Sequence, residues 1–112
     1  MGVGAEKRAY QRVAFLCRVD IATEDGATIE ANSVDISLGG VGVASPRFVA
    51  SGRDVTLAFH LRDRHGDPAI EHVAGRVAVA RADIDGHLLG VEFRAPLHRT
   101  SNPLLNRAVE RL

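Results

Sequence analysis

The stretch VAFLCRVDI, residues 13–21, alternates apolar side chains with residues that are mostly polar or small. Its apolar positions are Val13, Phe15, Cys17, Val19 and Ile21. Successive side chains of a β-strand point to opposite faces, so this period of two is typical of a strand that buries one face. The stretch therefore predicts a sheet that covers a core.

The same alternation returns along the rest of the chain. It is clear in residues 55–61, 73–79 and 89–93, weaker in residues 28–36, and short in residues 41–44. Turn-forming sequences rich in Gly and Asp separate these stretches. Six short strands with closely spaced turns indicate a sandwich or a small antiparallel barrel, whose closure removes exposed edges. We predict an all-β fold, a six-stranded antiparallel β-barrel over residues 13–94.

The last segment has a helical period instead. Asn102 and Pro103 are a typical N-cap and first helical residue, and they predict a helix over residues 102–112. Its apolar stripe consists of Leu104, Leu105, Ala108, Val109 and Leu112. A helix this short is only marginally stable on its own, so it should cover an open end of the barrel or contact a partner. We expect one domain over residues 1–112.

The composition indicates where the protein is located in the cell and which classes of ligand it can bind. Cys17 is the only cysteine, no apolar run is long enough to cross a bilayer, and no secretory signal opens the sequence, so we expect a cytoplasmic protein without membrane insertion. Thirteen of the fourteen cationic residues are Arg. Residues 1–18 and 94–112 each carry four cationic residues against one carboxylate, and the middle is acidic. This distribution argues against a general DNA or RNA binder and leaves room for a small anion.

No catalytic or metal-binding pattern is visible. The five histidines lack metal-ligand spacing, and Asp83 and Asp85 flank a turn. A reactive role for Cys17 has no neighbouring His to support it, so a core thiol is the simpler interpretation. We therefore expect neither an enzyme nor a cofactor.

A first motif precedes the first strand: Lys7-Arg8-Ala9-Tyr10-Gln11-Arg12. Arg8 and Arg12, four residues apart, share a side of a helical or an extended segment. Two guanidinium groups in this arrangement could clamp an anion or bind guanine O6 and N7. Alone, the motif is more typical of a solvated basic tail.

A second motif, residues 35–40, lies at the end of a predicted strand: Asp35-Ile36-Ser37-Leu38-Gly39-Gly40. Alternation puts Asp35 and Ser37 on the same face, where the carboxylate could accept guanine N–H groups and the hydroxyl could bind phosphate. The alternative is a Gly-Gly turn that Asp35 and Ser37 cap.

Together, R-x-x-x-R followed by D-x-S-x-x-G resembles the two-part signature of the PilZ domain family. The continuation DISLGGVGV and the late stretch Leu89-Gly90-Val91-Glu92-Phe93 agree with it, and the resemblance covers residues 6–112. PilZ domains are six-stranded barrels, usually with a helix near the C-terminus, and many are receptors for the second messenger cyclic di-GMP.

The resemblance implies roles for both motifs. Arg8 and Arg12 would hold guanine and phosphate groups from a flexible N-terminal arm, residues 1–12, with a further phosphate contact from Lys7. Tyr10 is expected to pack rather than to stack on a base.

On the barrel, Asp35 and Ser37 would contact the ligand, and Gly39 and Gly40 would allow its close approach. Ligand binding would order the arm, and an unidentified downstream protein would sense this change.

Two other functions stay open. One is a ligand-independent PilZ-type adaptor that works through protein–protein interaction. The other is a barrel for single-stranded nucleic acid, which is disfavoured because the chain has only five aromatic residues and an acidic middle.

Overall fold

Seven strands and one helix form the part of the chain that the structure, a computed structural model, describes, residues 10–110. They are β1 (Val13–Ala14), β2 (Arg18–Thr23), β3 (Thr28–Ile36), β4 (Gly40–Ser45), β5 (Asp54–Arg62), β6 (Pro68–Asp83), β7 (Gly86–Phe93) and α1 (Pro103–Glu110).

Six of these strands close into an antiparallel barrel. The hydrogen-bonded order is β3-β2-β5-β6-β7-β4, and a β4–β3 pairing completes the circle. The remaining strand, β1, pairs with β3 beyond the end of β2 and is additional to the barrel. The predicted six-stranded barrel with a short C-terminal helix is confirmed, with one extra strand.

The first predicted strand is divided by a bulge. Ala14 pairs with Asp35 and Arg18 pairs with Asn32, so residues 15–17 face only two residues of β3. The hydroxyl of the fully buried Ser33 accepts the Cys17 N–H at 2.9 Å and donates to the Phe15 carbonyl at 2.6 Å. These bonds satisfy the backbone groups that the ladder leaves unpaired. We call this segment the 15–17 bulge.

A second bulge changes the face of one valine. The alternation in residues 73–79 places Val79 inward, but 56% of Val79 is exposed. Val77 pairs with Val91 and Val79 pairs with Gly90, so Ala78 is an extra residue in β6. The extra residue moves Val79 to the outer face, and Ala80 packs against the core in its place.

The helix α1 docks on the barrel as expected, since Leu105 and Val109 belong to the buried core. The N–H groups at the start of α1 are not capped by the side chain of Asn102, the predicted N-cap residue. The Glu71 carboxylate of β6 accepts the N–H groups of Leu104 and Leu105 at 2.8 and 3.0 Å. The Asn102 side chain instead donates to the His72 carbonyl at 3.3 Å.

Within residues 10–110, no helix is long and apolar enough to span a membrane.

Candidate ligand site at the end of strand β3

The two sequence motifs meet in an ion pair. Arg12 Nη1 donates to Asp35 Oδ1 at 2.7 Å, and both side chains are partly exposed to solvent. The Gly42 N–H donates to the same carboxylate oxygen at 3.1 Å. Among the described residues, Oδ2 of Asp35 has no hydrogen-bond donor. The carboxylate is thus fixed through one oxygen and presents the other as an acceptor.

Ser37 does not share the exposed face of Asp35. The chain turns after Ile36, and Ser37 is buried. Its hydroxyl accepts the N–H groups of Gly39 and Gly40 at 3.2 and 3.1 Å. The expected common face fails because β3 ends before Ser37, and this hydroxyl takes the turn-capping role that the sequence left open.

The two glycines of the motif are close to different neighbours. A Cβ at Gly39 would lie 2.6 Å from Cδ2 of Tyr10, so the tyrosine ring rests on this glycine. A Cβ at Gly40 would lie 2.6 Å from the carbonyl oxygen of Val91. Tyr10 is therefore a packing residue, as expected. The absence of a side chain at Gly40 lets β4 and β7 approach each other.

Lys7 and Arg8 lie outside the described residues, and so does Leu112 of the predicted helix. Of the first motif, the structure describes Tyr10, Gln11 and Arg12.

Two further glycines extend the site across the barrel surface. Gly42 pairs with Asp35 on one side and with Gly90 on the other, and Gly90 pairs with Val79. Gly42 and Gly90 form a shallow strip of bare backbone on the outer face, which we call the glycine strip. Adjacent strands lie about 4.8 Å apart, so about 14 Å separates Asp35 from Val79 across the strip.

Sequence reasoning missed the glycine strip, although a signal was present. The stretches VGV at residues 41–43 and LGV at residues 89–91 put glycine at the outward position between two inward apolar residues. Glycine weakens a strand interior, so it often marks close approach of a ligand or another backbone.

Other chemically active groups do not belong to this site. Burial raises the pKa of the Cys17 thiol, and the Ser33 hydroxyl offsets part of this effect. A raised pKa disfavours the nucleophilic thiolate, which supports the interpretation of Cys17 as a core residue. On the outer face of β2, hydrogen bonds from His60 and Arg18 lower the pKa of Asp20.

A family model matches this chain. The family model described as PilZ domain matches residues 6–111. No curated protein matches the sequence.

Three solved structures share the fold. The PilZ domain with c-di-GMP of YcgR from Escherichia coli has a TM-score of 0.69 and 20% identity, over 95% of this chain and 91% of that one. The PilZ domain of CeSA from a cellulose-synthesizing bacterium has a TM-score of 0.60 and 19% identity, over 89% and 95%. The Bacillus subtilis inhibitor of motility, MotI/DgrA, has a TM-score of 0.71 and 23% identity, over 93% of this chain and 50% of that one. This chain therefore spans about half the length of the Bacillus protein.

The matched family model spans nearly all of the sequence, including both motifs and every described strand. The chain therefore belongs to the PilZ domain family, a family of cyclic di-GMP receptor domains that are typically non-catalytic.

Proposed function

We propose that this chain is a cytoplasmic, non-catalytic receptor that binds cyclic di-GMP at Arg12, Asp35 and the glycine strip. The observation that carries the proposal is the Arg12–Asp35 ion pair at the edge of a surface without side chains. A flat nucleobase needs such a surface, and its polar edges need an acceptor and a cation beside it.

Asp35 suits the Watson–Crick edge of guanine. The N1–H and the exocyclic amino group of guanine are donors, and a carboxylate is an acceptor only. Because Gly42 holds Oδ1, the second oxygen of Asp35 keeps a defined direction. The base would then extend from Asp35 over the glycine strip toward Val79.

Arg12 suits a phosphate or the O6/N7 edge of guanine. The planar guanidinium can form two parallel hydrogen bonds with either group. In the structure this side chain is held by an exposed ion pair, which is worth about 0–1 kcal/mol. Transferring Arg12 from Asp35 to the ligand therefore costs little.

The arm, residues 1–12, would supply the remaining cationic groups. We propose that Arg8 forms a second bidentate contact and that Lys7 contacts a phosphate. Micromolar binding needs about −8 kcal/mol, and each bidentate contact to guanine contributes about 1–3 kcal/mol of discrimination. Closure of the arm over the barrel, residues 13–94, would be the change that a downstream protein senses.

Ser37, Gly39 and Gly40 have a positioning role in this proposal. The Ser37 hydroxyl fixes the turn that follows β3, and the turn supports Tyr10 two residues before Arg12. The turn thus sets where the arm leaves the barrel.

Amide NMR spectra recorded with increasing cyclic di-GMP test the location of the site. We expect the largest shifts at Arg12, Asp35, Gly42 and Gly90, with GTP as a control that leaves them nearly unchanged. The β5–β6 turn at residues 63–67 provides an internal reference. Shifts confined to that turn, or spread evenly over the barrel, would place the ligand elsewhere.

Gly90→Leu should weaken cyclic di-GMP binding by about tenfold or more because its side chain fills the glycine strip. The fold should tolerate the change, since a Cβ at Gly90 lies 3.7 Å from Cβ of Val79, an ordinary contact. Ala22→Leu, on the exposed face of β2, adds similar apolar area away from the site. Calorimetry and thermal unfolding of both variants separate binding from stability. Normal binding by folded Gly90→Leu would exclude the strip from the site.

A ligand-independent adaptor is the second candidate function. The observation that favours it is a row of exposed apolar residues beside α1, which includes Leu16 and Ile70. An adaptor would show no NMR response to cyclic di-GMP.

A further inference from the structure

A groove of about 1100 Å³ lies between α1, the 15–17 bulge and the β5–β6 hairpin. Its apolar lining includes Phe15, Leu16, Leu61, Ile70, Leu104 and Ala108. The groove contains none of the residues assigned above to the cyclic di-GMP site.

Two large side chains of this groove are strongly exposed. Leu16 is 81% exposed and Ile70 is 52% exposed. Single exposed apolar residues are common on protein surfaces, but two that line one groove with the half-buried Leu104 form a patch typical of interaction sites. The Ser33 hydrogen bonds fix the bulge and hold Leu16 in this position. The apolar surface is thus part of the folded barrel.

The charged residues of the groove are mostly cationic. Arg62, Arg64 and Arg107 line it with one carboxylate, Asp63. The Asp63 carboxylate already accepts the backbone N–H groups of His65 and Asp67. Within residues 10–110, none of the three arginines forms an ion pair. The groove therefore combines apolar side chains with an excess of positive charge.

We propose that this groove is the docking site for an acidic amphipathic helix of a partner protein. A helix with leucines at positions i, i+3, i+4 and i+7 presents one apolar stripe, which would cover Leu16 and Ile70. Glutamates that flank the stripe would face Arg62 and Arg107, and this complementarity selects an acidic partner over a basic one. The inference deepens the proposed function, because assigning the helix to a downstream protein rests on that function.

The groove and the cyclic di-GMP site share one short element. Arg12 precedes β1, and Phe15 at the groove follows it. Only this two-residue strand separates Arg12 from the 15–17 bulge along the chain. Docking itself needs only the groove, so a helix should bind before cyclic di-GMP is added.

The test uses a fluorescent synthetic peptide of about 16 residues, with a leucine stripe flanked by glutamates. Controls are the same composition in scrambled order and the same stripe flanked by lysines. We expect the acidic peptide to bind and both controls to bind at least about tenfold more weakly. Leu16→Glu and Arg107→Glu should each weaken binding by at least about tenfold.

Matched control variants are available outside the groove. Ile84→Glu changes a leucine-sized side chain that is 94% exposed on the β6–β7 turn, and Arg81→Glu reverses an exposed charge on β6. Both should bind the peptide like the wild type. Equal binding by all four variants, or no binding of the acidic peptide to the wild type, would overturn the proposal. A wild-type dimer in sedimentation that Leu16→Glu dissociates would also overturn it, by assigning the groove to a second copy.

Failure of the two proposals can be distinguished. Arg12→Ala should lose cyclic di-GMP binding and keep peptide binding. If the wild type binds the peptide but not cyclic di-GMP, the docking surface stands and the receptor function does not.

Discussion

Arg12→Ala should weaken cyclic di-GMP binding by at least about a hundredfold, or about 2.7 kcal/mol. The Arg12 guanidinium lies 2.7 Å from the carboxylate that we assign to guanine. Its removal deletes a charge-assisted bidentate contact to the ligand. The free energy of unfolding should change by less than about 1 kcal/mol, because the pair with Asp35 is exposed.

Arg53→Ala is the matched control for this variant. Arg53 forms a similar exposed ion pair with Glu24, at 3.4 Å, away from the site. Calorimetric titration and urea unfolding of both variants give the comparison. The assignment of Arg12 fails if both variants bind cyclic di-GMP with the wild-type affinity, or if both lose binding equally.

Gly40→Ala should destabilise the fold by about 1–3 kcal/mol or more. The added methyl group would lie 2.6 Å from the Val91 carbonyl oxygen, which belongs to the backbone of the neighbouring strand. That oxygen cannot move without disturbing the β4–β7 ladder, in which Val41 pairs with Val91. Urea unfolding measures the loss directly.

Gly39→Ala is the informative comparison, because the three atoms nearest to its Cβ all belong to the Tyr10 ring. An exposed ring can rotate away, so the cost in stability should be small. Equal stability of the two variants would show that the close approach of β7 does not constrain Gly40. If Gly40→Ala is unstable as expected, its loss of cyclic di-GMP binding reports damage to the barrel rather than a lost contact.

Local patterns in the sequence identified most of the fold. Alternation is a property of neighbouring residues, and it located the inward-facing side chains of the six barrel strands. The features that alternation did not predict depend on residues far away in the sequence. The 15–17 bulge needs Ser33, the helix cap comes from Glu71, and the displacement of Val79 depends on its register against Gly90. None of these pairings has a local signature.

The candidate site also combines features that local sequence predicts with features that depend on distant residues. The motifs predicted that an arginine and an aspartate 23 residues apart would cooperate, and the fold joins Arg12 to Asp35. The alternation of β3 stops at Ile36, and Ser37 belongs to the turn that follows. The glycine strip was hidden because it requires the cross-strand alignment of Gly42 with Gly90, which a single sequence does not contain.

The most direct test of the central claim is calorimetric titration of the wild-type chain with cyclic di-GMP, with GTP and cyclic di-AMP as controls. The account predicts selective binding of cyclic di-GMP with a dissociation constant near or below about 1 μM. The absence of heat at high cyclic di-GMP concentration, together with unchanged amide NMR spectra, would contradict it and leave a PilZ domain that does not act as a receptor for this nucleotide.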